Sequence, residues 1–139
     1  MLCGSFTIVG CQLANSDTTH DFSPKEFKNL SIHYQYSVGM LPESEIININ
    51  TDTASYQSRK SDEIDEYNWH PTREELEDLY QIMLDNDFSS IRSSEDKGPV
   101  YDRGGVNVTI NVDGKETRID NSGNHFIEEK WQRNFALIS

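Results

Sequence analysis

Residues 69–88 read WHPTREELEDLYQIMLDNDF, and this stretch predicts one amphipathic helix. Thr72 and Glu75 have the spacing of a capping box, in which each side chain accepts a hydrogen bond from the backbone N–H of the other residue. We therefore expect the helix to begin at about Thr72 and to end near Asn86. Apolar residues recur at helical spacing and predict one buried stripe: Leu76, Leu79, Tyr80 and Met83.

Three strands are predicted before this helix. Residues Leu30–Val38 alternate strictly between apolar and polar side chains, which indicates a strand with one buried face. Ile46–Thr51 predicts a second strand, and Ala54–Arg59 predicts a short third one. The charged and polar residues Lys60–Asn68 predict an exposed loop.

A hairpin and a second helix are predicted after the first helix. Val106–Val112 alternates cleanly, and the following Asp113 and Gly114 are typical of a tight turn that returns the chain through Lys115–Asp120. A last helix is predicted from apolar residues at helical spacing: Ile127, Trp131, Phe135 and Ile138. The predicted fold is α+β, with an antiparallel sheet of four to five strands, two helices packed on one face, and the order β-β-(β)-α-β-β-α.

The charge of the chain limits the partners that it can bind. The formal net charge is −12, and the 12 Lys and Arg residues are spread along the sequence. Binding of nucleic acid needs clustered basic residues, so no nucleic-acid partner is expected. Ten acidic residues and one basic residue, Arg73, lie between positions 62 and 87. This segment predicts a solvated surface, although a basic partner or a divalent cation could also use it.

The amino-terminal residues differ from the rest of the chain because no charged side chain precedes Asp17. Residues 8–11 read IVGC and resemble the lipobox of bacterial lipoproteins, which implies that Cys11 is lipidated and becomes the first mature residue. We accordingly divide the chain into a lipoprotein-type signal segment (1–11), a polar tether (12–24) and a single domain (25–139). The alternative is a buried strand at Phe6–Val9 with Cys11 as a core thiol.

The order of predicted elements carries a second resemblance. A hairpin, a helix that ends at Asp87 and Phe88, and a hairpin that turns on Asp113 and Gly114 resemble small, uncharacterised bacterial envelope lipoproteins. More loosely, the pattern is similar to emfourin, a protein inhibitor of a thermolysin-type protease. The likeness covers about residues 30–119. It implies a compact domain of the cell envelope, or a protease inhibitor.

The sequence contains no recognisable catalytic or metal-binding motif. Its histidines do not have the spacing of metal ligands: His20, His33, His70 and His125. Oxygen donors alternate at residues 85–87 and 120–124, but the glycine and the distant glutamate of a calcium loop are missing, so we interpret both segments as turns or caps. We predict no enzyme activity, no metal and no cofactor.

Aromatic residues give the clearest indication of binding. Five of them lie on the predicted strands or beside the acidic segment and are the candidate binding surface: Tyr34, Tyr36, Tyr56, Tyr67 and Trp69. Such rings suit a peptide or a sugar. The alternative is that they belong to the hydrophobic core.

Together these features predict a lipid-anchored protein of the bacterial cell envelope with a non-catalytic binding domain. The predicted location is the outer membrane, with the domain facing the periplasm or the cell surface, and the predicted partners are the membrane, through the lipid, and a protein or glycan. No apolar run reaches the 18 or so residues that a membrane-spanning helix needs. The alternative function is a protease inhibitor that would use the exposed segment 61–68.

Overall fold

The computed structural model describes residues 26–99 and 102–139, which form eight strands and two α-helices. In chain order these are β1 Leu30–Ser37, β2 Glu43–Asn50, β3 Ala54–Lys60, β4 Glu63–Trp69, α1 Arg73–Asp85, β5 Ser93–Glu95, β6 Gly105–Val112, β7 Lys115–Ser122, β8 His125–Ile127 and α2 Gln132–Ala136. Short 3₁₀ segments lie at Phe88–Ser90 and Glu129–Trp131.

Six antiparallel strands form one sheet in the order β4-β3-β2-β1-β6-β7. Strands β1 to β4 follow one another as a meander, and the β6–β7 hairpin pairs with the free side of β1, which is therefore central. Helix α1 lies in the connection from the edge strand β4 to β6. Strands β5 and β8 form a separate two-stranded sheet.

The predicted fold class is wrong, although several of its elements are confirmed. The protein is mostly antiparallel β, with a six-stranded sheet, a two-stranded sheet and only one helix longer than two turns, in place of two helices on four to five strands. Predicted strands at β1, β2, β3, β6 and β7 are confirmed. The remaining elements differ at three places, of which the smallest is the three-residue strand β5 in a segment predicted to be a loop.

The first difference is strand β4, which occupies the segment predicted as an exposed loop. All seven residues of this strand are exposed, so neither face is buried and no apolar alternation marks it in the sequence. Pairing with β3 stabilises it instead, and Tyr56 stacks on its cross-strand partner Tyr67 with ring centroids 6.1 Å apart.

The second difference lies in the predicted last helix. Ile127 belongs to β8, Trp131 to a 3₁₀ segment and Phe135 to α2, which has only five residues. All three side chains pack into or against the same core. Apolar residues at this spacing are therefore buried on one side of the chain, although the backbone is not one continuous helix. The pattern predicted the buried residues correctly and the backbone conformation incorrectly.

Helix α1 confirms the capping prediction and supplies one side of the core. The Thr72 hydroxyl accepts from the backbone N–H of Glu75 at 3.2 Å, and the Glu75 carboxylate accepts from the backbone N–H of Thr72 at 2.8 Å. Asn86 is the carboxyl-terminal cap. The buried residues of the helix pack on β1, β6 and β7, and the core of these elements consists of Leu76, Tyr80, Met83, Leu30, Ile32, Val108, Ile110, Val112 and Ile119.

The turn between β6 and β7 also holds the start of β1. Asp113 and Gly114 both have positive φ, as a two-residue hairpin turn with a right-handed twist requires. The Asp113 carboxylate accepts from the backbone N–H groups of Lys28 and Asn29 at 2.9 and 2.8 Å, and the Asp113 N–H donates to the carbonyl oxygen of Asn29 at 3.0 Å. These bonds fix where the chain enters the sheet.

We predict that stability depends on the buried stripe of α1 and not on its outer side. Leu76 is 2% exposed, so Leu76→Ala should lower the free energy of unfolding by about 2–5 kcal/mol through lost burial and a cavity. Ile82 is 47% exposed on the same helix, and Ile82→Ala should change the free energy of unfolding by less than about 1 kcal/mol. Urea denaturation of both variants checks the difference, and equal losses would contradict this packing.

Candidate functional site

All five predicted aromatic residues lie on one face of the six-stranded sheet. The register pairs Ala54 with Trp69 and Ile49 with Ala54 along one row of side chains. The next row contains Tyr67, Tyr56, Ile47 and Tyr34, and the row after it contains Asp65, Ser58, Glu45 and Tyr36. Because paired residues of neighbouring strands point to the same side of a sheet, these rows share one face.

Helix α1 covers the other end of this same face. Ile32 and Val108 stand in the same rows and are buried in the core with the helix. The half formed by β2, β3 and β4, together with the outer part of β1, remains more accessible. We call it the aromatic half-face, and its members are Tyr34, Tyr36, Glu45, Ile47, Tyr56, Asp65, Tyr67 and Trp69.

Exposure of the rings is greatest on the edge strand β4, and Tyr36 on β1 is also exposed. Tyr34 is half-buried and packs against the core, Tyr67 is 61% exposed, and Trp69 is 40% exposed. The alternative that all these aromatic residues are core therefore holds only in part, at the inner end. The outer rings are large apolar surfaces in contact with solvent, which is how binding sites for peptides and sugars present themselves.

Carboxylates stand beside the rings. The Tyr56 hydroxyl donates to Glu45 Oε1 at 3.2 Å, and Glu45 lies directly opposite Tyr36 on β1. Asp65 lies in the same row on β4. Aromatic rings combined with carboxylates favour cationic groups, because the ring face and the carboxylate both carry negative potential. Sequence analysis missed Glu45, and it counted Asp65 in the acidic segment 62–87 without placing it beside the aromatic rings, because that placement depends on the strand register.

Burial and negative charge both act on the inner tyrosine. Burial raises the pKa of Tyr34 above its ordinary value, and the nearby Glu45 carboxylate and the Tyr36 phenol raise it further. The phenol stays protonated and able to donate a hydrogen bond at neutral pH. The chemistry of the aromatic half-face is thus that of hydrogen bonding and apolar contact.

The described histidines are engaged in local contacts. His33 Nδ1 lies 2.6 Å from Asn48 Oδ1 on the opposite, polar face of the sheet. His70 Nδ1 lies 3.0 Å from the carbonyl oxygen of Asp52, and His125 Nδ1 lies 3.4 Å from the Asp120 carboxylate. The fourth histidine, His20, and the predicted lipidation site Cys11 lie outside the described residues.

A second concavity lies where the β1–β2 turn meets the segment before β6. It has a volume of about 620 Å³ and is lined partly by Met40, Asp102 and Arg103. The Arg103 guanidinium donates to the carbonyl oxygen of His125 at 2.7 Å and to Asn121 Oδ1 at 2.6 Å, and it stacks on Phe126. The Arg103 side chain therefore links the segments around it and donates its hydrogen bonds to acceptors within the protein.

The described part of the chain contains neither a metal-binding cluster nor a membrane-spanning helix. Among residues 26–99 and 102–139, no group of three or more His, Cys, Asp or Glu side chains is arranged to hold a metal ion. Within the same ranges, none of the helices combines the length and apolar character needed to span a membrane. Of the two segments interpreted as turns or caps, 85–87 contains the C-cap Asn86 of α1, as predicted, whereas residues 120–122 belong to β7 and only residues 123 and 124 form a turn.

Comparison with known proteins assigns no family to the chain. No protein-family model matches it, and no curated protein matches it. The resemblance to envelope lipoproteins and to emfourin therefore stays a prediction.

The raised pKa of Tyr34 predicts a loss of stability at alkaline pH. Because the pKa is raised in the folded protein, the stabilisation is fully present below the unfolded value of 10.0 and is lost as the pH rises through the folded value. Burial raises the pKa of Tyr80 in the same sense. Tyr34→Phe should therefore flatten, but not abolish, the decline above pH 10. Urea unfolding at several pH values measures this decline in the free energy of unfolding. Tyr67→Phe, at an exposed ring, is the control.

Proposed function

We propose that this protein is a lipid-anchored, non-catalytic binding module of the bacterial cell envelope, and that it binds its partner on the aromatic half-face. The observation that carries the binding role is the row Tyr67, Tyr56, Ile47 and Tyr34, which continues the core row of the sheet beyond the helix. A sheet face with exposed rings, left accessible beside a well-packed core, suits recognition of another molecule. The partner is a protein or a glycan.

The lipid anchor rests on a separate observation, which is the sequence IVGC at residues 8–11. A thiol at the start of the mature chain accepts a diacylglyceryl group through a thioether, and several acyl chains give durable attachment where one chain is marginal. Residues 12–24 supply a polar spacer between the lipid and the domain.

The anchor predicts a defined change in mass. In the native host, the protein should incorporate radioactive palmitate and should lose residues 1–10, and globomycin should block this processing. Cys11→Ala should abolish both the label and the cleavage, because position 11 then has no thiol to modify. Cys3→Ala is the matched control and should leave both unchanged. Intact mass spectrometry measures the outcome, and an unprocessed, unlabelled wild-type protein would reject the anchor.

The binding surface predicts a difference between the two faces of the sheet. A photoreactive benzoylphenylalanine at position 67 should crosslink the partner in living cells, because that side chain lies exposed on the aromatic half-face. The same group at position 35, which is exposed on the opposite face of β1, should give at least tenfold less product. Gel analysis of the crosslinked species measures the ratio. Equal crosslinking from both positions would reject this surface.

The alternative function, a protease inhibitor, rests on the loose likeness to emfourin, which stays a prediction, and on a predicted exposed loop, which the structure contradicts. The segment 61–68, predicted as an exposed loop that could enter a protease, is mostly strand β4 and is paired with β3 along its length. No contact in the described part of the chain favours inhibition over other kinds of binding.

A further inference from the structure

Strand β4 has the properties of a docking edge for an extended peptide. We infer that β4 accepts, as an added strand, an extended segment of another protein that carries Lys or Arg at alternate positions. The inference rests on the proposed binding function and names the partner chemistry and the binding mode. Strand addition is a common means of peptide recognition, in which backbone hydrogen bonds supply affinity and alternate side chains supply specificity.

Within residues 26–99 and 102–139, no strand pairs with the outer side of β4. Strand β4 is the last strand on its side of the six-stranded sheet, and each of its seven residues is exposed. Natural edges are usually protected by charged side chains, a proline, a bulge, a very short strand or a covering element, and of these β4 has the charged side chains Glu63, Asp65 and Glu66. The register with β3 runs unbroken from Trp69 to Glu63, without a bulge or a proline.

The register also shows which backbone groups are available. Lys60 and Glu63 are cross-strand partners on either side of a two-residue turn, so they exchange both backbone hydrogen bonds. Hydrogen-bonded and non-hydrogen-bonded pairs then alternate along the hairpin. The N–H and C=O groups of Ile64, Glu66 and Asn68 consequently point away from β3. They are the donors and acceptors that an added strand would use.

The charge of the edge selects the partner. Glu63 and Asp65 point to the aromatic half-face, and Glu66 points to the other face, so both sides of the edge are acidic. Oppositely charged residues placed directly across an antiparallel pair stabilise it, and like charges destabilise it. A segment with alternating Lys or Arg would meet these carboxylates on one face. On the same face its side chains would also reach the exposed ring of Tyr67.

The same charges disfavour a second copy of this chain as the occupant. Full-length antiparallel pairing of two β4 strands would centre on Glu66 and would place this carboxylate opposite its own copy. Repulsion between the two Glu66 carboxylates thus opposes self-association and leaves the edge open to a basic strand. A basic segment is the occupant that the charge pattern favours.

A peptide experiment tests this inference. The probe is an acetylated and amidated peptide of four Lys-Val repeats, added to the purified full chain carrying Cys11→Ala. We expect hydrogen exchange, measured by NMR, to slow at least tenfold at the amides of Ile64, Glu66 and Asn68, because these groups become hydrogen-bonded. Amides of Glu116 and Arg118 on the opposite edge of the sheet should not change.

Two control peptides separate strand addition from general attraction between charges. A Lys-Val peptide with an N-methyl group on every backbone amide has the same charge but no N–H to donate on either edge, so it cannot form a strand ladder and should bind at least tenfold more weakly. A peptide of four Glu-Val repeats should not protect the β4 amides. The protein variant with both Asp65→Lys and Glu66→Lys should reverse the preference and bind the Glu-Val peptide.

A backbone variant provides a further test on the protein side. Glu66→Pro removes an N–H that points away from β3, so the hairpin should remain folded while binding of the Lys-Val peptide falls at least tenfold. Glu66→Ala is its matched control, because it removes the same charge and keeps the N–H. Circular dichroism and urea unfolding confirm that both variants are folded.

The possible outcomes are distinct. Equal binding of the N-methylated peptide, or no change in exchange at β4, would reject strand addition. A dimer whose β4 amides are protected without peptide would show that a second copy occupies the edge, and would also overturn the inference. If the peptide fails while position 67 still crosslinks a partner in the native host, strand addition is rejected and the proposed binding function stands.

Discussion

The structure depends on the burial of one helix face against part of one sheet. Helix α1 has 13 residues, which makes it about 20 Å long and roughly 10 Å wide. Six strands at a spacing of about 4.8 Å span roughly 24 Å. One helix therefore covers only part of the sheet, here the part formed by β1, β6 and β7. The accessibility of the aromatic half-face follows from this mismatch in width.

Strands β3 and β4 extend the sheet beyond the main core, and different forces hold them. Backbone pairing and the stacked rings of Tyr56 and Tyr67 take the place of burial for β4. Such a hairpin is stable only because β2 and β1 continue the ladder into the packed half of the sheet. The packed half provides rigidity, and the projecting half provides the accessible rings and the open edge.

Sequence reasoning succeeded where the signals were local. Helix α1 was predictable because its cap, its apolar spacing and its end all lie within about twenty residues, and the β6–β7 hairpin was predictable from its turn. Strand β4 was not, because a strand exposed on both faces carries no alternation of burial, and its acidic residues suggested a loop. The five aromatic residues were correctly named, but their common face depends on the register of four strands, which no local pattern specifies.

The position of the chain entry links the proposed anchor to the proposed docking edge. Asp113 fixes Lys28 and Asn29 at the end of the sheet where β1 begins. The antiparallel order places the turn of the β3–β4 hairpin at the opposite end, because β1, β2 and β3 reverse in turn. A lipid at Cys11 would therefore lead into the end of the sheet far from Glu63 and Asp65. The proposed anchor and the proposed docking edge would then meet the domain at opposite ends of the sheet, so attachment of the chain at one end would leave the edge open to a partner.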